Sequence, residues 1–184
     1  MNIAIVGAGI FGMSASIELS ARNHKVTLFD QGSIPNSLAS STDVAKAIRR
    51  TNYLPDTPYI EMVERASEKW KEWSSYSTQP IYRQTGGLSQ YSDSEFSPGS
   101  GGYESFKYLN EEREGLQILS QEQVANKFPQ FSFSQTREEH FVYDAWAGYL
   151  DSGLAMSVLK DIAIDIGIEI RENSAVSEVC DSRG

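Results

Sequence analysis

Apolar positions change their spacing several times along the chain, and each change marks an element. Ile3-Ala4-Ile5-Val6 is a continuous apolar run, followed at once by Gly7-Ala8-Gly9-Ile10-Phe11-Gly12. Helical spacing comes next at Met13, Ser16, Ile17 and Leu19, with Ser16 small enough for the helix to lie against strands. Asn23 stands where a left-handed residue should close that helix. Val26-Thr27-Leu28-Phe29 is a second apolar run, ending in Asp30. Residues 31–52 carry no strong period and read as a solvated loop running into a polar helix.

Thr57 as N-cap and Pro58 at the first helical position open a helix that reaches Trp73. Tyr59, Met62, Val63, Ala66, Trp70 and Trp73 fall on one face, the two tryptophans as core anchors, with Glu61, Glu64, Glu68 and Lys71 outside. Residues 82–91 read as strand bent at Thr85-Gly86-Gly87-Leu88, and residues 92–102 as a mobile Ser/Gly/Pro-rich loop. A helix follows over 103–110. Ser120-Gln121-Glu122-Gln123 is a capping box for a short helix stopped by Phe128-Pro129, and Phe141-Val142-Tyr143 reads as strand.

The α/β pattern returns at the end. Asp151 or Ser152 caps a helix with a stripe of Leu154, Val158, Leu159, Ile162, Ala163 and Ile166. Gly167 stops it, and Ile168-Glu169-Ile170 begins a strand. Residues 175–179 alternate like a further strand, and Asp181-Ser182-Arg183-Gly184 has turn composition. The chain therefore reads as ending inside a hairpin, as part of a longer protein.

Composition narrows the class. A chain of 184 residues, 40% hydrophobic and 11% aromatic, supports a packed core. A net charge of −9 argues against nucleic acid and anionic membrane as partners. No apolar run is long enough to span a bilayer, and the N-terminus lacks a basic region before its apolar run. The single cysteine, Cys180, excludes an internal disulfide and is expected to be a small buried side chain; a soluble, cytoplasmic protein is the default.

The candidate chemistry begins in the first thirty residues. Strand, glycine-rich turn, helix, strand and acid occur in the order of a dinucleotide-binding βαβ unit. Gly7 makes the tight turn, Gly9 admits a pyrophosphate close to the backbone, and Gly12 lets the helix approach the sheet. The helix N-terminus offers N–H groups and a positive dipole end, and Asp30 is placed to accept from a ribose hydroxyl. An acid at 30 argues against NADP but does not separate FAD from NAD. No Ser–His–Asp set, P-loop or metal-ligand cluster competes. His24 and His140 are lone histidines, and Glu111-Glu112 and Glu138-Glu139 are most simply solvated charge.

Three stretches resemble the N-terminal half of the FAD-dependent amine and amino-acid oxidase family, in its branch of sarcosine, pipecolate and fructosyl-amino-acid oxidases. They are residues 7–30; Ser40-Ser41-Thr42-Asp43-Val44-Ala45-Lys46-Ala47-Ile48-Arg49, continuing through Tyr53, Asp56, Pro58-Tyr59, Ala66 and Trp70; and Gly148-Tyr149-Leu150-Asp151 through residues 167–170. With Thr85-Gly86-Gly87-Leu88 they span nearly the whole chain.

The resemblance implies a glutathione-reductase-type, Rossmann-like α/β FAD-binding domain in two segments, 1–76 and 147–184, with part of an inserted α+β substrate domain at 77–146. By it, Gly7, Ala8, Gly9, Ile10, Phe11, Gly12, Asp30 and Gln31 would hold the ADP half of FAD. Ser40, Ser41 and Thr42 would lie along the pyrophosphate and ribityl chain, and Val176 would contact the adenine through its backbone. Lys46 would approach the flavin, and Arg49 would pair with a substrate carboxylate, these two being the catalytic candidates. Arg50, adjacent, could exchange with Arg49 by a one-residue slip.

The activity implied is oxidation of the C–N bond of an amine or N-substituted amino acid. Family members run to about twice this length, a domain-scale difference. Two rivals follow: a non-catalytic portion completed by a C-terminal half on another chain, which would leave a sheet edge and an apolar patch exposed; and, more weakly, an NAD-dependent dehydrogenase.

Overall fold

The computed structural model describes residues 1–132 and 139–180. Two compact units are present: residues 1–46, 71–81 and 150–184 form the first, and residues 47–70 and 82–149 the second.

In the first unit, β1 (Asn2–Val6), α1 (Ile10–Ala21), β2 (Lys25–Phe29), α5 (Ser152–Asp165) and β9 (Glu169–Arg171) make a three-stranded parallel sheet with two helices. The strand order is β1-β2-β9, with Asn2 facing Lys25 and Thr27 facing Glu169. Met13 and Ile17 of α1, Met156, Leu159 and Ala163 of α5, and Val26 and Leu28 of β2 are all buried, and α1 packs against both β2 and α5. Each fully buried side chain of this size contributes about 1.5–3 kcal/mol. Ser16, fully buried, donates to the Met13 carbonyl at 2.7 Å, so its hydroxyl is satisfied inside the layer.

Both helices end as their sequences predict. Asn23, at φ 61°, closes α1, with its N–H bonded to the Ser20 carbonyl and that of His24 to Leu19. Gly167, at φ 82°, does the same for α5. Asp151 is the N-cap of α5, accepting from the Leu154 N–H at 2.9 Å.

In the second unit, β5 (Gly87–Ser92), β7 (Glu139–Asp144) and β6 (Leu116–Leu119) form an antiparallel sheet in the order β5-β7-β6. Phe96, Tyr91 and Val142 form a buried cluster with Tyr103, Phe106 and Leu116 packed against it. α3 (Gly101–Glu112), capped by Ser100, and α4 (Gln121–Lys127), with the full Ser120–Gln123 capping box, flank this sheet in sequence. A third sheet has the order β3-β8-β4, built from Ala45–Ile48, Gly148–Asp151 and Tyr82–Arg83.

Several expectations need correction. Residues 45–48 are strand and not polar helix. α2 (Tyr59–Trp73) starts one residue late, and the Thr57 hydroxyl donates to the Leu54 carbonyl at 2.7 Å. Its buried face is rotated: Ile60, Ser67, Trp70 and Trp73 are inside, whereas Tyr59 and Met62 are more than half exposed. Ile166, at the end of α5, is also exposed. Ser92 ends β5 and residues 101–102 begin α3, so the loop is residues 93–100, tied by the Ser92 hydroxyl on Glu95 and the Gly99 N–H on Glu104. One Glu139 carboxylate oxygen is buried instead of solvated, and Glu138 lies outside the described residues.

Residues 175–179 are not a strand, and Val176 and Val179 are exposed. Alternation makes a strand only where a neighbouring strand satisfies its peptide groups. The residues expected to form the following turn, 181–184, lie outside the described part. Cys180 is exposed and not buried, as are the residues 175–179 before it.

Candidate dinucleotide and substrate sites

The glycine turn is held by backbone. The Gly7 N–H donates to the Phe29 carbonyl at 2.8 Å, and the Ala8 N–H to Asp30 Oδ2 at 2.8 Å. Gly7 sits at φ +95°, a region that L side chains avoid. A side chain at Gly12 would put its Cβ 1.8 Å from the Gly7 carbonyl oxygen. Gly9 caps α1 without a side chain, and no acid lies in the first turn, so the dipole end and first amides are open to an anion. Ile10 is half-buried, whereas Phe11 is 90% exposed.

The structure brings the hydroxyl segment to this turn. Ser41 Oγ lies 3.3 Å from where a Cβ on Gly9 would stand, and the neighbouring Thr42 Oγ1 is buried with no hydrogen-bond partner among the described residues. With Ser41 Oγ at the open helix N-terminus and a buried, unpartnered hydroxyl on the next residue, this segment suits a bound phosphate. These residues fit the pyrophosphate of a dinucleotide such as FAD. Ser40, Gln31 and Val176 are exposed.

Asp30, 8% exposed, accepts from the Ala8 N–H, the Gly32 N–H at 2.9 Å and Asn36 Nδ2 at 3.0 Å. Three of about four acceptor positions of a carboxylate are then filled, leaving one for a ribose hydroxyl. Burial works to raise its pKa, but the Gly32, Ala8 and Asn36 hydrogen bonds outweigh it and hold the carboxyl below its ordinary 3.8. The stability this supplies is complete above pH 3.8 and is lost as pH falls below it through the lowered native value. Asp30→Asn is therefore expected to flatten the acid limb of a stability–pH profile, measured by urea melts below pH 4. An unchanged limb would contradict it.

Lys46 Nζ pairs with Asp43 at 2.8 Å, both partly exposed, and this hydrogen bond lowers the Asp43 pKa. Arg49 and Arg50, adjacent in sequence and exchangeable by a one-residue slip, have different surroundings. Arg50 is buried, its guanidinium on both Asp144 oxygens at 2.8 and 3.2 Å and on the Glu114 carbonyl at 2.9 Å. Arg49 is exposed, donates to the Thr51 carbonyl and lies 5.3 Å from the Tyr53 ring centre. It lines a cavity of about 280 Å³ in the second unit, together with Ile48, Thr51, Ser89, Ala147 and Tyr149.

Sequence reasoning missed Asn36, Lys160 and Glu172 around Asp30, and Glu64, Arg113 and Asp144 around Arg50. Glu64, expected outside, binds Arg113 at 3.0 Å and Arg50 at 3.3 Å. An Ile-Pro-Asn turn after the acid is the one local signal for Asn36.

Comparison with known proteins adds the following. NikD, an unusual amino acid oxidase essential for nikkomycin biosynthesis, in its open form, superposes with a TM-score of 0.78 at 16% identity, over 98% of this chain and 45% of that one. L-proline dehydrogenase from P. horikoshii gives 0.79 at 22% identity, over 96% and 45%. Glycine oxidase from Bacillus cereus gives 0.76 at 18% identity, over 99% and 48%. The likeness to these structures is one of fold, and the chain spans about half of their length. No curated protein matches the chain by sequence. The chain does match the FAD dependent oxidoreductase (DAO) family over residues 2–184, and it belongs to that family.

Proposed function

We propose that the chain is the N-terminal portion of an enzyme that oxidises the C–N bond of an amine or N-substituted amino acid, in the manner of sarcosine oxidase. FAD, when bound, supplies the acceptor of the hydride equivalent. The amides of the α1 N-terminus bind the pyrophosphate, Asp30 orients a ribose, and Ser41 and Thr42 hydrogen-bond along the phosphates and ribityl chain. Gln31 and the Val176 backbone border the adenosine, and Lys46 supplies positive charge toward the flavin.

The observation that carries the substrate side is the contrast between Arg50, buried on Asp144, and Arg49, exposed on the cavity. A guanidinium has five donors in a planar fork, so Arg49 can take a carboxylate bidentately while keeping its bond to Thr51. That favours a carboxylate-bearing substrate over a plain amine.

The test has two steps. A visible spectrum of the purified chain, followed by denaturation, reads out bound FAD. In the complete enzyme, Arg49→Ala is expected to raise KM for an N-substituted amino acid about 10- to 100-fold, the range for losing a charge-assisted contact. Its stability should change by less than about 0.5 kcal/mol. An unchanged KM would remove Arg49 from the substrate site.

A second reading, that this portion is not catalytic by itself and needs a C-terminal half, is favoured by β1. That strand lies at the edge of its sheet, with Val6 60% exposed. A colourless chain that takes up FAD only with a C-terminal half present would favour it.

A further inference from the structure

We propose that Lys160 and Glu172 are a positioning pair for the adenosine end of the FAD site, fixing together the loop that follows β2 and the turn that follows β9. The inference rests on the reading of Asp30 and Val176 as adenosine-side residues. Its own support is a closed set of contacts around one peptide.

Ile34 is 5% exposed, so its peptide groups need partners inside the protein. Its N–H donates to Glu172 Oε1 at 2.6 Å, and its carbonyl accepts from Lys160 Nζ at 3.3 Å. Lys160 Nζ also binds Glu172 Oε2 at 2.9 Å. The ion pair thus grips the Ile34 peptide from both sides, with Lys160 brought in from α5. Side-chain exposures of 25% and 29% put the pair away from the fully solvated class that contributes little.

The same clamp reaches Asp30 through backbone. The Asp30 N–H donates to the Arg171 carbonyl at 3.0 Å, and its own carbonyl accepts from the Ser174 N–H at 2.8 Å. The Asn173 N–H donates to the Gly32 carbonyl at 3.1 Å, with Asn173 itself at φ 53°. Residues 30–34 and 171–174 therefore move as one piece or not at all. The first carries Asp30 and Gln31, and the second leads directly to Val176. Without the Lys160–Glu172 pair the Ile34 peptide loses both partners, and the spacing between these two walls is no longer fixed.

The test uses the 184-residue chain and its Lys160→Met, Lys160→Arg and Glu172→Gln variants, with ADP and FAD as calorimetric ligands. Lys160→Met and Glu172→Gln are each expected to bind ADP about tenfold more weakly, with the same factor for FAD. Lys160→Arg should restore most of the loss, and the double variant should be no weaker than the worse single one. Amide exchange in the ligand-free variants should quicken at Ile34, Asn173 and Ser174, a local readout that survives if one variant folds poorly. Unchanged ADP affinity in folded Lys160→Met overturns the inference, as does a lowered urea midpoint with affinity intact. If the parent binds neither ADP nor FAD, alone or with its C-terminal half present, the reading of the glycine turn fails first and takes this inference with it. Binding by the parent with unaffected variants sinks the inference alone.

Discussion

Gly12→Ala is expected to abolish FAD retention and to destabilise the chain by at least about 3 kcal/mol, the upper end of overpacking costs. The added Cβ would stand 1.8 Å from the Gly7 carbonyl oxygen and 3.3 Å from Ile5 Cγ2. The oxygen belongs to a turn that cannot retreat, because the Gly7 and Ala8 N–H groups are bonded to Phe29 and Asp30. Relief requires lifting α1 off β1, which also moves the helix N-terminus away from where a pyrophosphate would lie. Gly9→Ala is the control. Its Cβ meets only Ser41 Oγ, at 3.3 Å, and a hydroxyl can turn aside. That variant should melt within about 1 kcal/mol of the parent yet bind FAD more weakly, because the methyl group stands where the phosphate must approach. Urea melts paired with flavin release separate the two. A Gly12→Ala chain that keeps both its midpoint and its flavin would show that the turn is not the cofactor cradle.

What the sequence made legible was local. The first βαβ unit, the Schellman closures at Asn23 and Gly167, the Asp151 cap and the Ser120 capping box depend on residues within a few positions of one another. The misses depend on distant partners. β3 is four residues long and belongs to a sheet whose next strand, β8, lies about a hundred positions on, so neither carries a period of its own. A helical wheel sends Glu64 outward because it counts charge as solvated, and it cannot see Arg113 and Arg50 approaching from elsewhere in the chain. It brings Tyr59 inward for its ring, although Ser67, smaller and able to place its hydroxyl, holds the buried position. Residues 175–179 show the converse: a strand's alternation with no pairing among the described residues to make it one.

The candidate site divides in the same way. The geometry of the glycine turn, with the Ala8 N–H on Asp30 and Gly12 packed on the Gly7 carbonyl, could be read because it lies within one βαβ unit. Lys160 and Glu172 could not, since they act on Ile34 from 126 and 138 positions away. The choice of Arg49 over Arg50 was open to a one-residue slip for a related reason. What distinguishes them is Asp144, 94 residues beyond Arg50.

That distinction carries the other large prediction. Arg50→Met is expected to destabilise the chain by about 3–5 kcal/mol, the cost of breaking a buried ion pair from one side. The Arg50 and Asp144 side chains are 3% and 2% exposed, so the variant would leave a carboxylate in the interior with the Trp146 N–H, at 3.0 Å, as its remaining described donor. The Glu114 carbonyl and Glu64 would lose a donor as well, and the Trp146 ring would lose the guanidinium 4.9 Å from its centre. Arg50→Lys keeps the charge but not the fork that reaches both Asp144 oxygens, and should fall between. Replacing both partners, as Arg50→Met with Asp144→Leu, removes the uncompensated charge and should recover a good part of the loss, which a packing defect at either position alone would not do. Urea melts of the four chains decide it: a single variant within about 1 kcal/mol of the parent would mean that water reaches the pair. Because Asp144 is the last residue of β7, the central strand, and faces Gly87 and Leu116, the pair ties segment 49–51 to the end of that strand. Under the proposed function, Arg50 would bear on substrate only through the position of Arg49. A loss of stability at 50 with little at 49, and a loss of carboxylate affinity at 49, is the pattern that assigns one arginine to the scaffold and the other to the substrate.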